Sequence, residues 1–316
     1  HFRVPGTTLE PSWLAHCLNV LYLSIWLAST TTRYSAFRFR IFRLTMENLL
    51  LTGGTLVLIL TYSRIGLLAF GLVLVWYMLL SSKSVARWLS SRFFSNRPMA
   101  KRTLQILLAA MLVLVLIIVL GGLVYGLSFN DSRFAKFFNL QNIELAASGK
   151  FMAMANKLNI AERVVYWDLG WKVFEDHPVL GVGLGNAGMF TLKDISIYAW
   201  KLPELQRVLF VESFLPNTKS LWVRILAETG LVGFAVFLTW LVVLWVAARR
   251  LYKHSAPLLR TLGLAGQFTL IALLLEGFSI DTFALPYLWI ALGLLTAASF
   301  LGRVHTSSPD TAPQPR

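Results

Sequence analysis

"FLPNTKSLWVRILAETGLVGFAVFLTWLVVLWVAARR", residues 214–250, is the stretch on which the fold turns. From Thr229 to Ala248 it carries no charged residue, and it closes on Arg249 and Arg250. A helix of about 20 apolar residues crosses the ~30 Å hydrocarbon core of a bilayer, so this half reads as a transmembrane span. The half before it is different: a Pro-Asn-Thr turn, Lys219, Arg224 and Glu228 crowd the approach to lipid. Ionisable groups at membrane depth are costly and tend to mark function, which makes this approach the first place to look for chemistry.

The rest of the chain repeats the apolar theme. Hydrophobic residues make up 56% of the 316 and charged ones 14%, with a mean hydropathy of +0.64. A soluble domain carries roughly a quarter charged residues, so a soluble globule is excluded. The fold class that follows is all-α, a polytopic transmembrane helix bundle. Spans are expected at Ser12–Ser29, Leu104–Tyr125, Thr229–Ala248, Leu264–Ile280 and Leu285–Leu301. The block Asn48–Leu80 is too long for one crossing and splits at "TYSR", Thr61–Arg64, into two short spans joined by a tight turn.

A net charge of +14 invites a nucleic-acid reading, but the charge is confined to loops. Thr30–Met46 holds Arg33, Arg38, Arg40 and Arg43; Ser81–Thr103 holds Lys83, Arg87, Arg92, Arg97, Lys101 and Arg102; neither contains an acid. Arg249–Arg260 repeats the pattern. On alternating spans these loops share one side, which the positive-inside rule makes cytoplasmic. The topology accounts for the charge, and no nucleic acid is implied. The expected division is 1–126, spans one to four with cytoplasmic basic loops; 127–220, a large periplasmic helical loop; 221–302, spans five to seven; and 303–316, a Pro/Ser/Thr-rich disordered tail. Arg64 and Asp281 then face the periplasm with the loop. The opening "HFRVPGTTLEPS" starts on that same side without an initiator methionine, so the chain reads as the C-terminal part of a larger protein. Cys17, the single cysteine, lies in an apolar span and forms no internal disulfide.

Within the loop, "NIAERVVYWDLGWKVFEDHP" (159–178) places Ile160, Val164, Trp167, Trp171 and Phe174 at steps of three and four, the signature of an amphipathic helix that Pro178 stops. "PVLGVGLGN" (178–186) follows. A dinucleotide fingerprint needs a strand before such glycines and a helix after them, and neither is present. Two readings stay open: a tight turn packed close to the membrane, or a turn whose amides also touch a ligand.

Arg64 stands at the outer end of a span and Arg163 opens the loop helix beside Glu162. Singly, each suits a structural role, a snorkelling arginine or a surface ion pair. Together, two outward guanidinium forks at a membrane surface suit a phosphorylated lipid, because the fork matches phosphate oxygens in bidentate fashion. Lys219 and Arg224 complete the basic set, with Glu228 one turn after Arg224 and placed to pair with it. His177, at the end of the loop helix, suits capping as well as catalysis. No His/Cys cluster has metal-ligand spacing and no G-x-S-x-G elbow occurs, so no metal is expected. Glu276 and Asp281, near the outer end of the sixth span, mark a polar cavity or an ion pair, with Lys219 or an arginine as the expected partner.

The combination resembles the O-antigen ligase and polymerase superfamily of bacterial membrane glycosyltransferases. Four features carry the resemblance: the "TYSR" turn and its following span (Thr61–Leu80), "ERVVYWDLGWKVFEDHPVLGVGLGN" (Glu162–Asn186), "SLWVRILAETGLVG" (Ser220–Gly233), and the large outward loop that joins them. It implies an inner-membrane, multi-pass enzyme of about a dozen spans whose active site faces the periplasm. Its donor is a glycan on undecaprenyl pyrophosphate; its acceptor is lipid A-core in ligases, a second lipid-linked glycan in polymerases, or a protein hydroxyl. Membrane lipids surround it and no cofactor is implied. The family's two pyrophosphate-holding arginines map onto Arg64 and Arg163. Arg224, Ser63, Ser220 and Tyr166 are the accompanying substrate-binding candidates.

One residue departs from the family pattern. Ligases typically carry a histidine, then Asn, Ser or Gln, then a fixed interval before G-x-x-G. Here Ser220 is followed by Leu221–Thr229 and by Gly230 and Gly233, and Lys219 takes the histidine's place. A general base works best near the ambient pH; imidazole titrates at about 6.5 and an ordinary lysine at about 10.4. Three readings of catalytic Lys219 stay open: an electrostatic clamp on pyrophosphate, a desolvated base, or a disabled site. The expected function is an inverting, metal-independent O-antigen ligase. The alternatives are an O-antigen or exopolysaccharide polymerase and a catalytically inactive lipid-glycan binding subunit. A transporter is disfavoured by the lack of inverted, interrupted repeats.

Overall fold

Each expected span folds as a helix in the computed structural model, which describes residues 10–37, 40–41, 44–93, 98–136, 151–158, 160–191, 193, 195, 200, 203–211, 215, 217–280 and 285–307. The long elements are α1 (Pro11–Thr32, with a π-helical stretch at Leu18–Leu23), α2 (Met46–Leu60), α3 (Arg64–Phe93), α4 (Pro98–Ser128), α5 (Ala161–Asp176), α6 (Leu221–Leu251), α7 (Pro257–Glu276) and α8 (Pro286–Ser307). Shorter helices lie at Ser132–Ala135, Phe151–Lys157, Ala187–Thr191 and Pro203–Gln206. Among the described residues the strands amount to one antiparallel pair, Arg40–Ile41 with Leu44–Thr45. The protein is an all-α polytopic helix bundle. Among the described residues five helices (α1, α3, α4, α6 and α7) are long and apolar enough to cross a membrane, and α2 is a shorter apolar helix.

The split inside Asn48–Leu80 falls where the sequence places it, and its cause is local. After Leu60 the Thr61 hydroxyl bonds back to the Leu58 carbonyl at 2.7 Å, and Tyr62 takes a left-handed φ of +51°. Ser63 then accepts the Gly66 N–H on its hydroxyl at 3.3 Å, the side-chain capping that starts a helix. Arg64 is the first residue of α3. The expected basic loop Ser81–Thr103 is for the most part helical, because α3 continues to Phe93 and α4 begins at Pro98.

The chain divides into two compact units, one built mainly of Phe70–Phe234 and Gly277–Asp281, the other mainly of Arg3–Ala69, Ala235–Glu276 and Thr282–Arg316. In the second, α7 is the central helix: every residue from Gly263 to Leu273 is buried, and α1 and α8 pack against it. Gly266 makes this possible, since a Cβ there would lie 2.7 Å from Leu295. In the first unit α4 is the opposite case. Its Ile106, Leu107, Met111 and Leu114 are all exposed, as suits side chains whose solvent is lipid. Within the same unit α5 buries Val165, Tyr166 and Leu169 against Leu205, and Val173 against Ala187 and Ala227.

Candidate active site

α5 has the extent its sequence predicts, but the buried face is not the predicted one. Trp171 is exposed, and Ile160, Val164, Trp167 and Phe174 are half-buried, whereas Ala161, Val165, Leu169 and Val173 are buried. The aromatic side chains misdirect the periodicity because they are amphipathic: Trp171 keeps its indole N–H at the surface, donating to Glu175 at 2.8 Å. The consequence is a face made of Arg163, Tyr166, Trp167 and Gly170, residues three and four apart that share one side of the helix. Gly170 lets this face meet the start of α6, since a Cβ there would lie 2.6 Å from Val223 and 2.7 Å from Thr218.

Lys219 is fixed on that face mainly through its backbone. It takes a left-handed φ of +50°, its N–H donates to Asn217 Oδ1 at 3.2 Å, and its carbonyl accepts the Trp167 indole N–H at 3.5 Å. Its ammonium stands 5.6 Å from the centroid of the buried Tyr166 ring, a distance at which the ring attracts a cation. Ser220 caps α6, its hydroxyl accepting the Val223 N–H at 3.5 Å and donating to the Gly277 carbonyl at 3.2 Å. The Leu221 N–H reaches the same carbonyl at 2.7 Å.

The segment Gly277–Ser279 is the part of this site that sequence reasoning misses. Besides holding the start of α6 through Gly277, it sets the Phe278 ring between Trp167 and Trp222, at centroid distances of 5.9 and 6.4 Å. The Ser279 carbonyl accepts Arg163 Nη1 at 3.2 Å. These residues act through carbonyls and one ring, and carry neither charge nor motif. Asp281 lies outside the described residues.

α6 begins earlier than the apolar run suggests. The charged approach Leu221–Glu228 is itself helical, and the break comes at Gly230, with φ +63° and ψ −165°. One turn inside it, Arg224 Nε donates to both Glu228 carboxylate oxygens at 3.0 and 3.1 Å, the pairing their spacing predicts. The glycine-rich loop is spliced into the break. Val182 and Gly183 donate to the carbonyls of Ala227 and Glu228 at 3.1 and 2.8 Å, and Leu231 and Val232 donate to those of Pro178 and Val179 at 2.8 and 3.2 Å. Gly181 and Gly230 both have positive φ, and a Cβ on either would lie within 2.4 Å of the other segment's backbone. Of the two readings left open for "PVLGVGLGN", close packing is the one the structure supports: the amides of Gly181, Val182 and Gly183 all donate to protein carbonyls. His177 is the C-cap residue of α5, its ring edge-on to Phe190 at 5.2 Å. Beside it, the Lys193 ammonium holds the Asp176 carboxyl below the usual carboxylate range.

In the second unit, Ser63 and Arg64 form the capped start of α3 already described. Glu276, for which Lys219 or an arginine is the expected partner, has its carboxylate on other groups: it takes His16 Nδ1 on one oxygen and the Asn19 amide on the other. Sequence cannot supply this correction, because the partners lie 260 and 257 residues away. Across the two units one electrostatic feature recurs. Arg64 is the first residue of α3, Arg163 lies in the first turn of α5, and Lys219 stands two residues ahead of α6. A helix N-terminus already carries about half a positive charge, so a cation there loses about 0.3–1 kcal/mol and an anion gains.

A family model described as O-antigen ligase matches residues 49–238, about three fifths of the chain. No curated protein matches it in sequence. The match takes in the serine-arginine turn, the α5 face with its arginine, and the broken helix that Lys219 precedes, and with the membrane-length helices it makes this chain a multi-pass membrane protein belonging to the O-antigen ligase family.

Proposed function

We propose that this protein is an inner-membrane glycosyltransferase that moves a glycan from undecaprenyl pyrophosphate to a hydroxyl of lipid A-core, with its active site on the periplasmic side, where loop 127–220 lies. The observation that carries the reading is the placement of Lys219 on the Arg163–Tyr166–Trp167 face of α5. Two cations at helix N-termini on one face favour a doubly phosphorylated substrate. Arg64 takes a share of the same anion on the strength of the family's serine-arginine turn alone. In the reaction, the acceptor oxygen bonds to the anomeric carbon as the bond from that carbon to the pyrophosphate oxygen breaks, inverting the centre. The departing pyrophosphate keeps the bonding electrons and takes up the hydroxyl proton. Lys219 acts as a clamp on the charge that develops there, the kind of interaction that usually contributes most to such rates. Its seat against an aromatic ring face suits a cation more than a base.

Lysine in the histidine position also favours a second reading, a polymerase whose acceptor is another lipid-linked glycan. The test is transfer in cells: Arg163→Ala and Arg64→Ala are each expected to abolish glycan attachment. Unchanged transfer in both overturns the pyrophosphate clamp.

A further inference from the structure

Within the second unit, three deeply buried polar side chains form one cluster whose role the site described so far does not use. His16, Asn19 and Glu276 are each 1% exposed and occupy the apolar helices α1 and α7. A carboxylate in such a place is retained only if its neighbours satisfy it, and removing one partner of a buried pair is strongly destabilising. Glu276 uses both oxygens, one on His16 and one on Asn19. The Asn19 amide does something further: it also donates to the Gly66 carbonyl at 2.8 Å. Gly66 lies in the first turn of α3, two residues after Arg64, and its N–H is the one that Ser63 caps. On that side α3 rests directly on α1, since a Cβ at Gly66 would lie 2.7 Å from the Ala15 Cβ.

From these contacts we infer that Asn19, held by Glu276, is a positioning residue: it fixes the rotation of the first turn of α3 and so the direction in which Arg64 presents its guanidinium. The inference rests on the reading of Arg64 as a pyrophosphate ligand. The physical case is that a helix's first turn is its least constrained, and this one follows a strained residue, Tyr62 at φ +51°. Among the described contacts, its freedom is reduced by the Ser63 cap, the bond from the Leu67 N–H to the Ser63 carbonyl at 3.0 Å, the close approach of Gly66 to Ala15, and the Asn19 hydrogen bond. The last comes from a side chain that is itself anchored elsewhere, on Glu276. Glutamate and histidine serve here to hold one amide still, and neither needs to meet the substrate.

The experiment is a double-mutant cycle on the full-length protein in detergent, reading kcat/KM for a lipid-linked glycan donor and thermal unfolding. Asn19→Leu keeps the branched heavy-atom shape and deletes the bond to Gly66; Arg64→Lys keeps the charge and deletes the fork. Each single variant is expected to lower kcat/KM at least ~10-fold, and Asn19→Leu is expected to add less than ~2-fold in the Arg64→Lys background, because its effect passes through the guanidinium. Glu276→Gln, which preserves shape and one acceptor oxygen, is expected to give a smaller loss with the same dependence on Arg64. Additive losses overturn the inference in favour of a general structural role, as does failure of both Asn19→Leu and Glu276→Gln to fold. A loss in Arg64→Lys with none in Asn19→Leu overturns the inference alone, whereas no loss in Arg64→Lys overturns the reading of Arg64 on which it rests.

Discussion

Lys219 is placed by its main chain, and this makes its side chain testable. The left-handed φ is already accommodated with a Cβ in place, and the bonds to Asn217 and Trp167 use its N–H and carbonyl. Lys219→Ala is therefore expected to melt within about 0.5 kcal/mol of wild type while transfer falls roughly 10²-fold, the usual effect of deleting one preorganised electrostatic contact. Lys219→His is expected to fold equally well and to transfer less than wild type, because an imidazole is shorter and mostly neutral at pH 7. A gain in Lys219→His, measured with a lipid-linked donor, overturns the clamp in favour of a disabled histidine site. At this scale the sequence is informative where chemistry is written in side chains: Arg163, Tyr166 and Lys219 are legible as candidates, and α5 sets Tyr166 against Lys219 one turn after Arg163. It is silent on Gly277 and Ser279, whose contribution is carbonyl oxygens that any residue would offer, and on the partners of Glu276, which only the packing of α1 against α7 supplies.

Elements tell a similar story. The boundaries of α5 and the turn between α2 and α3 are legible because Pro178 and the Thr-Tyr-Ser turn act locally. The buried face of α5 is not, since Trp171 counts as apolar in a pattern yet stays at the surface with its N–H on Glu175. The start of α6 is likewise hidden, because charge reads as loop although Arg224 and Glu228 pair along a helix. The break at Gly230 leads to a sharp prediction. Gly181→Ala and Gly230→Ala each combine a left-handed residue with a Cβ within 2.4 Å of facing backbone, and neither is expected to yield monodisperse protein on size exclusion. Gly185→Ala is the control: its φ is +84° but nothing lies within 4 Å, so it is expected to cost only the left-handed penalty of about 1–2 kcal/mol and to remain folded. Equal behaviour of all three would show that the splice contributes nothing beyond local strain.

For the whole molecule, the bundle class is legible from composition together with run length, since uncharged runs of about 20 residues, as at Thr229–Ala248, satisfy their own backbone in lipid as helices. What composition could not give is the acceptor, and this is a question for the cell. A strain lacking the gene is expected to show lipopolysaccharide core without any O-antigen on a gel; core bearing a single repeat would favour the polymerase reading. The joint between loop and broken helix has a consequence for protein engineering. Residues 178–183 and 227–232 exchange backbone hydrogen bonds in both directions, so neither can be transplanted alone. A chimera that swaps the glycine-rich loop between family members without its receiving helix inherits a plug cut for another socket. The natural unit of recombination is the pair.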